Sequence, residues 1–157
     1  MNFKKPYLIA EVGCNHKGDI KIAREFVKVA KNFCNVDCVK FQKRDPKSLL
    51  TNEEYNSSHP VPENSYGNTY GEHREFLELS IKDHKIIKSD CDEMGIEYSC
   101  SVWDIKSAEE ICSLNLKKIK IGSATNLNFE VLEYICSHFK GEIHLSLGMT
   151  TVHEEEK

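Results

Sequence analysis

The sequence predicts an α/β fold in which five parallel strands, with four intervening helical segments, form the first part of a (β/α)8 barrel. Three observations carry this. Apolar stretches of strand length alternate along the chain with stretches of helical period. Single helical segments between strands imply parallel pairing, because the crossover fills the return path. Each strand divides into an apolar face and a face that turns polar toward its C-terminal end. An open sheet covered on both sides would be apolar on both. A barrel puts helices outside and a polar mouth at the C-terminal ends of its strands.

The first strand is read over 7–12, with Leu8, Ala10 and Val12 on one face and Ile9 and Glu11 on the other. Ala23, Phe26, Val27, Ala30 and Phe33 then mark the apolar face of a helix that Asp19 caps. In the second strand, 36–42, Val39 and Phe41 oppose Cys38, Lys40 and Gln42. Residues 43–71 hold three of the four prolines with several Asn and Ser, and read as a long loop on the active-site face, a lid or subunit contact. A helical region resumes near Glu72. Ser80 with Asp83 opens a further helix through Ile87, Cys91 and Met94, which Gly95 ends.

In the third strand, 96–102, Tyr98 and Cys100 oppose Glu97, Ser99 and Ser101. Ile105, Ala108, Ile111 and Cys112 mark a short helix. In the fourth strand, 117–122, Ile119 and Ile121 oppose Lys118, Lys120 and Gly122. Asn128 caps a helix carrying Phe129, Leu132, Ile135 and Cys136. In the fifth, 142–147, Ile143, Leu145 and Leu147 oppose His144 and Ser146. Thr150 or Thr151 opens a last helix barely one turn before Lys157, so the expectation is a fragment with five of eight strands, its first and fifth left as open edges.

At 157 residues the chain is the size of one ordinary domain, and 39% hydrophobic residues suffice for a core. A net charge of −4 argues against a nucleic-acid partner. No apolar run approaches the roughly 18 residues of a membrane span, and Glu11 interrupts any signal-peptide core, so a cytoplasmic location is expected. Seven cysteines, an odd number without Cys-x-x-Cys, are expected to be reduced and buried. The turn after the first strand, Val12-Gly13-Cys14-Asn15-His16-Lys17-Gly18-Asp19, lacks the glycine pattern of dinucleotide sites, and there is no Walker loop.

Glu11, Lys40, Gln42, Ser99, Ser101, Lys120, Ser123 and Ser146 converge on the expected mouth. Two lysines there are costly unless they meet anions, and with serines and backbone amides they suit a phosphate or carboxylate. A Schiff-base aldolase would also place a lysine at a strand end, and a non-catalytic metabolite-binding or interaction module is a third reading. His16 is read as a loop-stabilising or substrate-contacting residue, His73 as helix-start structure and His144 as a core histidine. Trp103, the only tryptophan, either stacks on a sugar or closes the third loop. No histidine pair has metal-site spacing, so no metal ligand is assigned within the chain.

Five runs together resemble the sialic acid synthase family. They are Ala10-Glu11-Val12-Gly13-Cys14-Asn15-His16-Lys17-Gly18-Asp19, Val39-Lys40-Phe41-Gln42-Lys43, Tyr66-Gly67-Asn68-Thr69-Tyr70-Gly71-Glu72-His73-Arg74, Lys120-Ile121-Gly122-Ser123 and Leu145-Ser146-Leu147-Gly148-Met149-Thr150. The resemblance implies a (β/α)8 enzyme that condenses phosphoenolpyruvate with N-acetylmannosamine or a related amino sugar, giving a sialic acid and phosphate. It implies that Lys40, Ser99, Lys120, Ser123 and Ser146 bind phosphoenolpyruvate and that Glu11 and Gln42 face the sugar. It implies a divalent cation, Mn2+ or Mg2+, polarising the sugar aldehyde, with ligands on later strands outside this chain. It also implies a homodimer in which a C-terminal antifreeze-like domain, likewise outside these residues, supplies an arginine to the partner's sugar site. After Ser123, many members have Gly and then a carboxylate; here Ala124 and Thr125 stand in those places. Either the proton is handled differently, or Thr125 with Asn126 orients a water.

Overall fold

The computed structural model describes residues 5–156. Five strands, β1 (Ile9–Gly13), β2 (Cys38–Lys43), β3 (Glu97–Val102), β4 (Lys118–Ile121) and β5 (Glu142–Leu145), form one sheet in sequence order, all parallel. The connecting helices are α1 (Ile20–Asn32), α2 (Pro46–Leu49), α3 (Asn52–Asn56), α4 (Tyr70–Phe76), α5 (Ile81–Met94), α6 (Ile105–Cys112) and α7 (Phe129–His138), and α8 (Val152–Glu155) follows β5. This is an arc of a (β/α)8 barrel. No helix among the described residues is long and apolar enough to cross a membrane.

The local chemistry of each helix start is visible. The Asp19 carboxylate accepts from the Lys21 N–H, and Asn128 accepts from Val131. Ser80 and Asp83 form a reciprocal capping box at α5, as do Thr151 and Glu154 at α8. Gly95 ends α5 at φ 64°, a left-handed conformation that a side chain would disfavour.

The apolar parity of the strands meets the helices. Val39, Phe41, Tyr98, Cys100, Ile119 and Ile121 are buried against Ala23, Val27 and Ala30 of α1, Ile87 and Cys91 of α5, Ala108 and Ile111 of α6, and Val131 and Ile135 of α7. Each large side chain so buried stabilises by roughly 1.5–3 kcal/mol. The polar parity occupies the opposite face in aligned rows. Glu11 pairs with Lys40 and Lys40 with Ser99; one step toward the mouth, Gln42, Ser101, Lys120 and His144 are aligned.

Three expectations are corrected. Residues 43–71 are not a structureless loop: they contain α2, with Pro46 at its first turn, α3, and a 3-10 turn at Pro62–Asn64. Their nuclei are local, the proline at a helix start and a Thr51–Glu54 capping box. The Tyr70 N–H then donates to the Ser57 carbonyl at 2.8 Å, closing the excursion.

The second correction concerns Phe33, 83% exposed, and the exposed Phe129 and Cys136. Cys34 is exposed too, so only part of the cysteine set is buried. Ile22, Phe26, Val29 and Phe33 fall on the flank of α1 opposite to the one facing α5, where Arg24 pairs with Asp90 at 2.5 Å and Lys31 donates to the Gly95 carbonyl. On α7, Phe129, Leu132 and Cys136 likewise share the flank opposite to Tyr134, which senses Cys112 and Glu109 of α6. Apolar periodicity does not separate the face toward the sheet from a flank toward a neighbouring helix. The third correction is His144, half-buried and bonded to the Glu142 carboxylate at 2.7 Å; β5 is an edge strand, and its ring is not enclosed.

His84 is fully buried beneath β3. Its Nδ1 lies 2.5 Å from the Tyr98 hydroxyl, and burial, with Lys43 and His16 nearby, pushes its pKa down to about 3. The unfolded chain takes up a proton near pH 6.5 that the folded chain refuses until about pH 3. The stability this residue contributes is therefore full above pH 6.5 and is lost as the pH falls. Unfolding titrations should show that His84→Gln removes about 2 kcal/mol of the stability lost between pH 7 and pH 5, the remainder including His16 and His73, which burial also holds below the usual histidine value.

Candidate active site

β2 and β4 bring two lysines to the polar face. Lys40 is buried and ion-paired with the Glu11 carboxylate, its partner in register on β1. Its ammonium also lies 3.4 Å from Ser101 Oγ. Burial first, and then the charge of Lys120, push the Lys40 pKa down to about 8.

Lys118 and Lys120 share this face of β4 but differ in surroundings. Lys118, one row deeper, meets Glu97 at 3.2 Å, Glu142 at 3.5 Å and the face of Tyr7 at 4.6 Å. Lys120, half-buried and close enough to depress Lys40, has no carboxylate partner among the described residues. Lys40 is matched by Glu11 and Lys120 by no carboxylate among these residues, an excess of positive charge that suits an anion.

The loops after β4 and β5 bring Ser123 and Ser146 together. A Cβ at Gly148 would lie 3.8 Å from both hydroxyls, so the two side chains flank one glycine. Asn126 fixes this loop, donating to the Ser146 carbonyl at 2.8 Å and the Gly148 carbonyl at 3.3 Å, while Thr125 Oγ1 donates to the Gly122 carbonyl. Both side chains thus bond to the backbone of the mouth.

Gly13 shapes the other side. It adopts φ 56°, and a Cβ there would lie 3.3 Å from Gln42 Nε2 and 3.7 Å from Glu11 Oε1. Glu11 and Gln42 therefore share a space that a side chain would invade. Ser99 stands apart from the group: it is buried a row below Ser101, and its hydroxyl donates to the Lys118 carbonyl at 3.2 Å. Parity puts it on the right face but cannot say how deep it lies.

His16 proves to be loop structure: it is buried against Phe41, and its Nδ1 accepts from the Gly18 N–H at 3.1 Å. His73 accepts from the Tyr66 N–H and packs against His59, whose ring centroid is 4.3 Å away. Trp103 lines the third loop, near the position a Cβ on Gly122 would occupy. Sequence reading passed over Arg44 and Glu78, a buried ion pair at the end of β2. The available signal was an arginine immediately following a strand end.

Among the described residues no three of His, Cys, Asp and Glu converge as metal ligands. The mouth itself offers lysines, serines, an amide and a carboxylate already paired with Lys40, a donor set unsuited to a divalent cation.

Comparison with known proteins adds lineage to this geometry. The NeuB family model matches residues 26–157. The chain belongs to the NeuB family. It is 33% identical over 151 residues to N-acetylneuraminate-9-phosphate synthase of Drosophila melanogaster, covering 96% of this chain and 40% of that one. Its identity to the Mus musculus protein of that name is 37% over 131 residues, covering 81% and 35%. To N,N'-diacetyllegionaminic acid synthase of Legionella pneumophila it is 34% over 152 residues, covering 94% and 41%. The chain therefore spans about two fifths of the length of these relatives. In fold it resembles the N-acetylneuraminic acid synthetase of Leptospira borgpetersenii, TM-score 0.78 at 19% identity, covering 96% of this chain and 47% of that one. A putative spore coat polysaccharide biosynthesis protein E of Chromobacterium violaceum gives 0.79 at 18%, covering 97% and 44%.

Gly13→Ala should destabilise the chain by about 1–2 kcal/mol, the usual cost of a left-handed non-glycine residue. Thermal melts of the two proteins would measure it; an unchanged midpoint would contradict the strained turn.

Proposed function

We propose that this chain carries the phosphoenolpyruvate-binding part of a synthase that condenses phosphoenolpyruvate with N-acetylmannosamine or a related amino sugar. The observation that carries the reading is the pair Lys40 and Lys120, with Lys120 lacking a carboxylate partner among the described residues while Lys118 beside it has two. Family membership supports the choice of anion, since the relatives are named as synthases of nonulosonic acids.

In this reading Lys40 and Lys120 neutralise the phosphate and carboxylate of phosphoenolpyruvate, with Ser123 and Ser146 donating hydrogen bonds; Ser99 supports the seat from below. Glu11 and Gln42 orient the open-chain amino sugar. C3 of phosphoenolpyruvate forms a bond to the sugar aldehyde carbon, whose oxygen takes up a proton. Water adds at C2, and the C2–O bond breaks to release inorganic phosphate and leave the keto acid. The divalent cation implied by the family resemblance would be held by residues outside this chain. The whole enzyme is a homodimer in the same reading, and its location is cytoplasmic.

One observation favours a second reading. A lysine whose pKa falls to about 8 is suited to Schiff-base chemistry. The Glu11 carboxylate beside the Lys40 nitrogen weighs against it, because a neighbouring anion favours the ammonium over the free amine that a Schiff base needs. Borohydride trapping with a carbonyl substrate separates the two, because only the aldolase leaves a covalent adduct on lysine.

The full-length protein that carries this chain should release phosphate from phosphoenolpyruvate only when an amino sugar is present, and added chelator should suppress it. Lys40→Ala and Lys120→Ala should each weaken phosphoenolpyruvate binding by ~2–5 kcal/mol, roughly 30- to 4,000-fold. Titration calorimetry showing near-native affinity in both variants would remove the lysines from the site.

A further inference from the structure

The mouth contains a buried ion pair that the anion seat does not use. Arg44 directly follows β2, and it and Glu78 are both almost fully enclosed. Arg44 Nε donates to Glu78 Oε1 at 2.7 Å, and the Arg44 backbone N–H donates to Oε2 at 3.1 Å. Glu78 thus holds both the side chain and the backbone of one residue.

The guanidinium has two further neighbours. Nη2 donates to Cys14 Sγ at 2.7 Å, in the loop after β1. Its carbon lies 5.6 Å from the ring centroid of Trp103, the first residue after β3. One side chain therefore joins the loops that follow three successive strands. Beside it, the Asp45 N–H donates to Asp104 at 2.8 Å and stitches the second loop to the third. Arginine suits this junction, because its planar fork can bond a carboxylate and stack on an aromatic face together.

Both held residues adjoin the site. Cys14 Sγ lies 3.9 Å from Gln42 Oε1, and Cys14 follows the Gly13 turn that gives Gln42 and Glu11 their space. The rings of Trp103 come within 3.9 Å of the position a Cβ on Gly122 would take. Its indole N–H is buried without a partner among the described residues, so the ring is held by its packing.

We propose that Arg44 is a positioning residue for the acceptor side of the site: held by Glu78, its guanidinium fixes Cys14 and Trp103 and, through Cys14, the Gln42 amide that faces the amino sugar. This rests on the synthase reading above. It assigns to the pair a task separate from phosphoenolpyruvate binding, since none of Lys40, Lys120, Ser123 and Ser146 is among its bonded partners.

The test uses Arg44→Met combined with Glu78→Gln, which leaves no unpaired buried charge. In the full-length protein this variant should lower kcat/KM for the amino sugar about tenfold to a hundredfold, the effect of misplacing an orienting group. The Kd for phosphoenolpyruvate should stay within about twofold. Arg44→Lys should retain the fold and charge but not the acceptor kinetics, since an ammonium lacks the fork. Cys14→Ala should reproduce part of the loss, and Arg24→Ala, on the distant α1–α5 pair, none of it. Trp103 is the only tryptophan of these 157 residues, so its fluorescence, read in the full-length protein with any tryptophan outside them replaced by phenylalanine, gives a second readout without turnover. Acrylamide should quench it more strongly in the pair variant, at unchanged far-ultraviolet dichroism.

Equal losses for both substrates, unchanged amino-sugar kinetics, or full activity in Arg44→Lys would overturn the proposal. If the unsubstituted protein shows no phosphoenolpyruvate-dependent turnover, the synthase reading fails instead, and the tryptophan measurement still decides whether Arg44 holds Trp103.

Discussion

Side-chain parity in an aligned parallel sheet is the constraint on which the mouth depends. In each strand, alternate residues must point to opposite faces. Helices cover one face, and the residues there are Val, Ile, Phe, Tyr and Cys. The register places Lys40 beside Glu11 and Ser99, and Lys120 beside Ser101 and His144. A slip of one residue in β2 would send Lys40 under the helices and Phe41 into the mouth. The burial of Phe41 and Val39 therefore holds the lysine in place as firmly as the ion pair with Glu11 does.

Charge on that face is organised by depth. The deeper row is internally compensated, with Lys118 set between Glu97 and Glu142. Lys40 and Glu11 lie in that same row and pair with each other, and the unmatched charge is Lys120, one step nearer the mouth. Burial first, and then the charge of Lys120, depress the Lys40 pKa. A bound anion would relieve the unmatched charge of Lys120, which is the basis of the function proposed for these lysines. On the other side, Arg44 is fully matched by Glu78, so its charge is spent on the loops and not offered to a ligand.

Much of this was legible in the chain. Capping residues Asp19, Ser80, Asn128 and Thr151 act through bonds to their own next turn, so they read correctly without tertiary context. The parity of the strands is equally local. What escaped depends on neighbours far away in sequence. Phe33 carries the right period but lies on a flank, and no local pattern distinguishes flank from core. Ser99 shares the face of Ser101 but bonds to a carbonyl of the next strand. Arg44 gains its meaning from Cys14, Glu78 and Trp103, separated from it by 30 to 59 residues. The short helices within 43–71 were masked by prolines that start helices here as readily as they end them.

The central claim, that Lys40 and Lys120 form a seat for phosphoenolpyruvate, is tested most directly by the protonation of Lys40. Lysine labelled with 13C at Cε would be followed by NMR across pH, with the Lys40 signal assigned by Lys40→Arg. The account predicts a pKa near 8 in the free protein that rises toward the ordinary 10.5 when phosphoenolpyruvate is added, because a bound anion favours the ammonium form. A Lys40 that titrates at the ordinary value and ignores phosphoenolpyruvate would contradict it.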